Sequence, residues 1–358
     1  MKTKKKRLNY QGATIYVGID IPKRSWNVSI VLSGIKLSTF SMVPNVKALF
    51  SYLVSHYPNG IYKVVYEAGF SGYWLSRELQ SLGIETLIVN PADIPTSNKE
   101  RDRKSDKVDS GKLARELSKD DIEGIYIPNK SEEALRVLTR IRNSFTKDQT
   151  RLKNRIKSLL YFVGMELPEN YEMQHWSKRF IEHITAINFT EEGLKVTMDE
   201  LLCNLEQIRL QLTRIIKELR NIVNGDSFMK TTICYLQSIP GIGFITAVTL
   251  YSEIIDINRF SKLEKLCSYV GIVPSCHSSG EKDITPRMSK RQNSFLRNII
   301  IEASWVAIRK DTALTLAFAK LSQRMKKQEA IIRIAKKLVS RIMYVWKNQT
   351  EYVYSVSD

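Results

Sequence analysis

Two acidic residues stand in an otherwise basic stretch, "RKSDKVDSGKLA", at positions 103 to 114. Asp106 and Asp109 are three positions apart, so on a helix they would share one face. A surface that only attracted an anion would gain nothing from them, because each carboxylate weakens the pull of the neighbouring cations. The pair therefore predicts a chemical role of its own.

Two further acids come at the ends of predicted strands. Asp20 follows the apolar run "TIYVGI", and Glu67 comes near the end of "YKVVYEA". Ligands of open α/β sheets bind at the carboxyl ends of the strands. Carboxylates gathered there repel one another unless cations lie among them, and their hard oxygen atoms suit Mg²⁺ or Mn²⁺. We therefore predict a site for two such ions that supports in-line displacement at phosphorus, formed by Asp20, Glu67, Asp106 and Asp109.

Each acid also has an ordinary interpretation. Any one of them could be a cap, a turn former or a solvated residue, and Asp106 is well placed as a helix N-terminal carboxylate. The basic residues around the helical pair would hold a nucleic-acid backbone while the acids hold the metal. These residues are Lys99, Arg101, Arg103, Lys104 and Lys107.

The elements that must position the acids form an α/β pattern. Helices are predicted over 46–57 and 73–83, and a third begins near Ser105. Three successive strands followed by helix, strand, helix and strand indicate a mixed sheet. The predicted strands are 14–19, 26–33, 36–42, 62–68 and 84–90.

A long helical region follows. Apolar residues recur in steps of three and four over about four heptads, which predicts a coiled-coil seam: Met198, Leu201, Leu205, Ile208, Leu212, Ile215, Leu219 and Ile222. Its partner is either the earlier stretch with Leu135, Leu138, Leu152, Ile156 and Leu159, or the same helix of a second subunit. A helical hairpin and a dimerisation arm both remain open.

A third region contains P-G-I-G inside "LQSIPGIGFITAVTL". Gly241 and Gly243 could expose amides that bind a nucleic-acid phosphate, as in a helix-hairpin-helix, or they could form a plain turn between core helices. The predicted division is 1–125 for the α/β domain, 126–225 for the coiled coil and 226–358 for the mostly helical C-terminal domain.

Composition narrows the class of protein. The chain has 358 residues, with 55 Lys and Arg against 37 Asp and Glu, for a net charge of +18. Such an excess attracts polyanions, and nucleic acid is the leading candidate. Neither a membrane-spanning run nor a signal-peptide core is evident. Four cysteines without a C-x-x-C pair favour a reduced cytoplasmic protein over a zinc or disulfide site.

Five segments together resemble the IS110 family of transposases, relatives of the Piv DNA invertase. They are "YVGIDIPKRSW", "VVYEAGFSGYWLSRELQSLGIETLIVNP", "SDKVDSGKLA", "LQSIPGIGFITA" and "GIVPSCHSSGEKDITPRMSKRQNSFLRNIIIEAS". The resemblance implies a RuvC-like domain of the ribonuclease H type, whose D, E, D, D set matches Asp20, Glu67, Asp106 and Asp109. It also implies a coiled-coil middle and a C-terminal transposase domain.

The resemblance further implies a serine nucleophile in "HSSG", at Ser278 or Ser279. It implies a prokaryotic, nucleoid-associated recombinase whose partners are donor and target DNA, a structured bridge RNA and further copies of itself, as a dimer or tetramer. Gln292 departs from the family's S-K-x-G-N pattern, which has glycine there. Basic residues near the serines would clamp the scissile phosphate: Lys282, Arg287, Lys290, Arg291 and Arg297.

Two rival functions remain. A metal-dependent junction-resolving nuclease would use activated water and need no serine. A scaffold for RNA or DNA would use the positive charge and the coiled coil, and its carboxylates would be incidental.

Overall fold

The computed structural model describes residues 9–95, 106–165, 176–272 and 293–354; for residues 106 and 107 it describes the backbone alone. The chain divides into two compact units, Met1–Ile127 and Pro128–Asp358. A further boundary near residue 225 stays a prediction.

The first unit is built on a five-stranded mixed sheet, as predicted. Its strand order is β3-β2-β1-β4-β5. β1 pairs antiparallel with β2 and parallel with β4, which in turn pairs parallel with β5. The central strand therefore has a partner on each side. The strands are β1 Thr14–Asp20, β2 Trp26–Leu32, β3 Ile35–Met42, β4 Ile61–Glu67 and β5 Glu85–Val89.

Two helices, α1 (Val46–His56) and α2 (Trp74–Ser81), supply apolar side chains to the core on one face of this sheet. Asn45 caps α1 by accepting a hydrogen bond from the amide of Ala48 at 2.9 Å, as its side chain predicts. Because alternate strand residues point to the same face, this core receives the following side chains: Ile15, Val17, Ile19, Val28, Ile30, Val64 and Tyr66.

A third helix, α3 (Asp106–Lys119), covers the other face. Its Leu113 and Leu117 pack with Val65 of β4 and Val89 of β5. This second core is small, and it fixes α3 against this face of the sheet. The predicted site acids Asp20 and Glu67 lie on the same face, because each is two positions after a residue that faces α3, Gly18 or Val65.

The second unit is helical. Its elements are α4 Lys130–Phe162, α5 Lys178–Thr185, α6 Glu192–Gly225, α7 Ser227–Ser238, α8 Phe244–Ile254, α9 Leu263–Val270, α10 Ser294–Ala307, α11 Thr312–Ser322 and α12 Lys327–Asn348. None of the helices in the described part of the chain is long and apolar enough to cross a membrane.

The predicted seam lies on α6 and packs against α4 of the same chain. Met198, Leu205, Leu212 and Leu219 are buried at seven-residue intervals, and the seam residues between them are partly buried. Near one end of the hairpin the seam joins Leu152 and Ile156, and near the other it joins Leu135 and the C-terminal core. The seam is thus an intramolecular hairpin, the first of the two alternatives.

Candidate functional site

Gly18, in the middle of β1, allows α3 to lie directly on the sheet. A Cβ atom at this position would overlap the carbonyl oxygen of Ser110 and come within 2.5 Å of the amide nitrogen of Ala114. Any larger residue would therefore push the helix away. Hydroxyl contacts add to this close approach, because Ser29 Oγ on β2 lies 2.9 Å from Ser110 Oγ and 2.8 Å from Thr39 Oγ1.

The contacts of α3 also fix its direction. Its second half reaches the start of β1, where Leu117 and Tyr16 line a common cavity of about 290 Å³. Ser110, two turns earlier, lies on Gly18 in the middle of the strand. The helix therefore runs antiparallel to β1, and its first turn lies at the carboxyl edge of the sheet.

Three of the four predicted acids have described side chains near this edge. Asp20 is half-buried and ends β1, while Glu67 is exposed and ends β4. The last register pair of these parallel strands is Ile19 with Tyr66, so the two acids follow side by side. Asp109 is half-buried on the first turn of α3, and the backbone of Asp106 begins that helix.

The donor set matches a hard divalent cation, since all its atoms are carboxylate oxygens. Within 9–95, 106–165, 176–272 and 293–354 no three His, Cys, Asp or Glu residues lie close enough to hold a metal ion. The side chain of Asp106 lies outside the described part of the chain. Convergence of all four acids on a metal thus stays a prediction that the placement of β1, β4 and α3 supports.

Two residues beside the acids were not predicted from the sequence. Asn27 lies opposite Asp20 in the antiparallel pair and is buried, accepting a hydrogen bond from Ser41 Oγ at 2.7 Å. Lys112 on α3 is only 8 % exposed, although lysine is normally a surface residue. A strand pattern alone could have indicated Asn27, as a polar residue in an apolar run, whereas the burial of Lys112 depends on how α3 packs.

A buried tyrosine shapes the loop after Glu67. Tyr66 donates a hydrogen bond to the carbonyl oxygen of Gly72 at 3.1 Å, and its hydroxyl accepts one from the amide of Ser76 at 3.2 Å. Ala68 continues the pairing with β5 by donating to the carbonyl oxygen of Val89 at 2.8 Å. The backbone on both sides of Glu67 is therefore fixed.

The P-G-I-G turn in the second unit joins two core helices. Gly241 has φ +87°, and a Cβ there would overlap the carbonyl oxygen of Ala303 on α10. This glycine is therefore needed for conformation and for close packing. Gly243 is the N-cap of α8, with open space where a Cβ would be. Phosphate binding by these two residues stays a prediction.

A buried carboxylate, Glu253, ties together three elements of the second unit. It is fully buried and receives two hydrogen bonds from Arg140, at 2.7 and 2.9 Å. The side-chain amide of Asn293 donates to it at 2.9 Å, and the same Asn293 caps α10 by accepting from Leu296 at 3.1 Å. Tyr269 on α9 donates to the backbone carbonyl of Glu253 at 2.8 Å.

The Glu253 network includes Asn293, the first described residue after the segment that contains the predicted serines. Ser278 and Ser279 lie outside the described residues, as do the predicted phosphate-clamping residues Lys282, Arg287, Lys290 and Arg291 and the unusual Gln292. So do Lys99, Arg101, Arg103 and Lys104, and the side chain of Lys107. Arg297 is described, on the first turn of α10.

Comparison with known proteins assigns this chain to one class of protein, the transposases. A family model of DEDD transposases matches residues 17–164, the part that carries the sheet, α3 and the acids. A second model, described as the transposase family IS116/IS110/IS902, matches residues 234–320. The chain belongs to the IS110/IS116/IS902 family of transposases.

Relatives from several bacteria match most of the chain. A putative transposase, y4rJ, of Sinorhizobium fredii is 30% identical over 311 residues, covering 79% of this chain and 76% of the relative. The transposase of insertion sequence IS1111A from Coxiella burnetii is 28% identical over 295 residues, covering 81% and 79%. The transposase of IS1533 from Leptospira borgpetersenii is 26% identical over 304 residues, covering 81% and 84%.

Family membership establishes three properties. The chain is an enzyme that cleaves and transfers DNA, it binds DNA, and its DEDD domain uses divalent metal. The fold is a ribonuclease H-like mixed sheet followed by a mostly helical region, as predicted from the sequence.

Proposed function

We propose that this transposase is a site-specific recombinase that is directed by a structured bridge RNA and cuts DNA through a covalent serine ester. The observation that supports its metal site is the contact of α3 with Gly18, which brings the first turn of the helix to the edge where β1 and β4 end in Asp20 and Glu67. The serine and the RNA come from the resemblance to the family. Asp106 and Asp109, both on that turn, would complete the D, E, D, D set.

The four acids would hold two divalent ions, Mg²⁺ or Mn²⁺. When bound, such ions stabilise charge on the attacking and leaving oxygens of a phosphoryl displacement. Asp20 and Glu67 are carried by paired strands, which hold their spacing, and α3 is locked to the sheet by Ser29 and Ser110. Pre-organised ligands of this kind lower the cost of assembling the site.

The serine would take the role of nucleophile. The hydroxyl oxygen of Ser278 or Ser279 would form a bond to phosphorus and give its proton to a base. The bond from phosphorus to one strand oxygen would break, and that oxygen would take up a proton and leave as a free hydroxyl. The resulting ester keeps the bond energy, so a hydroxyl of another strand can displace the serine without a high-energy cofactor. The basic residues predicted around both sites would hold the DNA and RNA backbones.

Exchange between duplexes also requires more than one copy of the chain. Two cuts on two duplexes need at least a dimer, and exchange of four strands suits a tetramer.

A denaturing gel tests the covalent step. Full-length protein is incubated with Mg²⁺, labelled DNA of the element's end and its flanking RNA, and then denatured. We expect a labelled protein-DNA adduct that is lost in Ser278→Ala plus Ser279→Ala and retained in Ser340→Ala, a control serine exposed on α12. Omitting the RNA should also abolish the adduct. Undiminished cleavage by the double variant would refute the serine step.

One observation favours a second function. All four acids belong to the first compact unit, so that a metal site would need no residue from the second. A junction-resolving nuclease that activates water would use such a site alone. It predicts cut DNA with free ends and no adduct, and the same gel separates the two functions.

A further inference from the structure

A groove lined by both polar and apolar side chains lies within the second unit, between α4, α8 and α10. Its volume is about 430 Å³, within the range of roughly 300–1,000 Å³ that small-ligand pockets occupy. Arg142, Asn143 and Lys147 of α4 line one side, and Asn298 and Phe295 of α10 line another. None of these residues belongs to the acidic edge or to the predicted serine segment.

Arg142 has a buried donor that is left without a partner. Its Nε atom is shielded from solvent and makes no hydrogen bond within the described part of the chain. Burial lowers the pKa of Arg142 from its ordinary value, with no acid contributing an opposing effect. A guanidinium stays charged in proteins, so this burial costs free energy that an anion beside the guanidinium would offset.

We propose that this groove binds a backbone phosphate of the nucleic acid on which the transposase acts. The planar guanidinium of Arg142 would donate to two phosphate oxygens, a geometry that arginine offers and lysine does not. Lys147 and Asn298, both exposed, would contact the backbone at the rim. The half-buried ring of Phe295 offers an apolar surface to a sugar or base.

The surroundings of the groove favour a polymer over a free anion. Lys147 in the lining is exposed, and the first turn of α10 contributes Ser294 and Phe295 to the same groove. Amides at a helix N-terminus add to the attraction of a phosphate that Arg142 already provides. Glu302, also in the lining, is exposed and opposes binding on its own side, so the phosphate would lie toward Arg142.

Nucleic-acid binding by the full-length protein tests the proposal. Anisotropy is measured in EDTA, which prevents cleavage, with labelled duplex DNA, single-stranded DNA and single-stranded RNA over a salt series. We expect Arg142→Gln to bind one of these probes roughly tenfold more weakly at low salt. For that probe the slope of log affinity against log salt should fall by about 0.9 for duplex or about 0.7 for a single strand.

The matched control is Arg151→Gln, on the same helix. Arg151 is exposed and already pairs with Asp148 at 2.6 Å, so its loss removes the same formal charge away from the groove. We expect its slope to stay near that of the wild type. The probe whose slope falls in Arg142→Gln, duplex DNA, single-stranded DNA or RNA, is the ligand of the groove.

Stability separates a binding role from a structural one. Removal of a buried donor that has no partner should leave the Tm of the free protein unchanged or raise it. If Arg142→Gln does not fold, Lys147→Gln provides a second test through the slope of log affinity against log salt. Lys147 is exposed, so its substitution does not disturb the core. Equal binding by Arg142→Gln and Arg151→Gln, or unchanged slopes in both groove variants, would overturn the proposal. Because no cleavage is measured, failure of the serine or metal chemistry cannot produce either result.

Discussion

At the scale of single residues, Gly18 has the clearest consequence for function. Its hydrogen side chain is the reason that α3 can touch β1, and α3 carries two of the four acids. A methyl group at this position must displace either the strand or the helix. Placement of the acids therefore depends on a residue that has no chemistry of its own.

We predict that Gly18→Ala lowers the free energy of unfolding by about 1–3 kcal/mol and strongly reduces DNA cleavage. The matched control is Gly111→Ala on α3, where the new Cβ would lie 3.6 Å from Ser29 Oγ, an ordinary contact. That change should stabilise the helix by about 0.5–1 kcal/mol and preserve cleavage. Urea unfolding and a cleavage assay measure both effects. Full cleavage by Gly18→Ala would show that the contact does not position the acids.

Glu253 provides a second prediction at this scale. Glu253→Ala leaves Arg140 and Asn293 without their shared acceptor, and we expect a loss of about 3 kcal/mol in unfolding free energy. The side chain of Arg140 is 56% exposed and can turn to solvent when Glu253 is removed, whereas Arg140→Ala leaves a fully buried carboxylate without its cation. Arg140→Ala should therefore cost at least as much as Glu253→Ala. A double-mutant cycle in urea measures the coupling. Additive losses would mean that the pair contributes no interaction energy of its own.

At the scale of elements, the α4 and α6 hairpin explains why the heptad pattern did not identify its partner. A seam of leucines buries equally well against another helix of the chain or against a second copy. In this structure α4 supplies the facing side chains. The hairpin shares a core with α5 at one of its ends and with the C-terminal helices at the other. These shared cores favour the pairing of α4 and α6 within one chain.

We predict that Leu205→Ala lowers the free energy of unfolding by about 3 kcal/mol, because its side chain is buried in the hairpin. Leu210→Ala, on the exposed side of the same helix, should change it by less than about 0.5 kcal/mol. Both shifts should be independent of protein concentration, as thermal unfolding at several concentrations can measure. A loss for Leu205→Ala that grows on dilution would instead indicate a seam shared between subunits.

A buried acid, Asp311, accepts hydrogen bonds that hold the C-terminal segment against the helical core. Tyr352 donates to Asp311 at 2.6 Å and Arg341 donates at 2.9 Å, while the same acid caps α11 through Leu314 at 2.9 Å. Burial, and then the hydrogen bond to Asp311, raise the pKa of Tyr352 from 10.0 to about 12. The folded protein therefore holds this proton more tightly than the unfolded chain.

This raised pKa predicts a loss of stability in alkali. The contribution of Tyr352 is complete below about pH 10 and is lost as the pH rises to about 12. Tyr352→Phe should have a lower free energy of unfolding than the wild type at neutral pH. Between about pH 10 and 12 its free energy of unfolding should fall less steeply with pH than that of the wild type, and the difference in slope should correspond to at most one proton. Tyr251, whose pKa burial also raises to about 12, should keep some slope in the variant. Identical slopes from urea unfolding would contradict the role of Tyr352.

At the scale of the whole molecule, the sequence predicts the layers better than the contacts between them. The five strands follow from apolar runs and turn residues, and the mixed sheet follows from the succession of strands and helices; both are confirmed. The acids at the ends of β1 and β4 were also predictable, because strand direction follows from the connections. The overlap of Gly18 with Ser110, the burial of Lys112 and the Glu253 network depend on tertiary packing, which leaves no periodic signal in a sequence.

The two units also differ in how far the chemistry can be read from the sequence. Carboxylates in the first unit are recognisable because several acids interrupt basic and apolar patterns. Arg142 is one of 55 basic residues, and it stands out by lining the groove with a buried Nε that has no hydrogen-bond partner in the described part of the chain. Sequence patterns thus identify residues of unusual type, while residues of common type in unusual surroundings require a structure.

The central claim is that Asp20, Glu67, Asp106 and Asp109 form one metal centre at the carboxyl edge of the sheet. Anomalous diffraction from crystals of the full-length protein with Mn²⁺ and DNA tests it most directly. We predict a Mn²⁺ peak in contact with the carboxylates of Asp20 and Glu67 and with the acids on the first turn of α3, and no such peak in Asp20→Asn. Mn²⁺ bound only elsewhere, in crystals of protein that cleaves DNA, would contradict the claim.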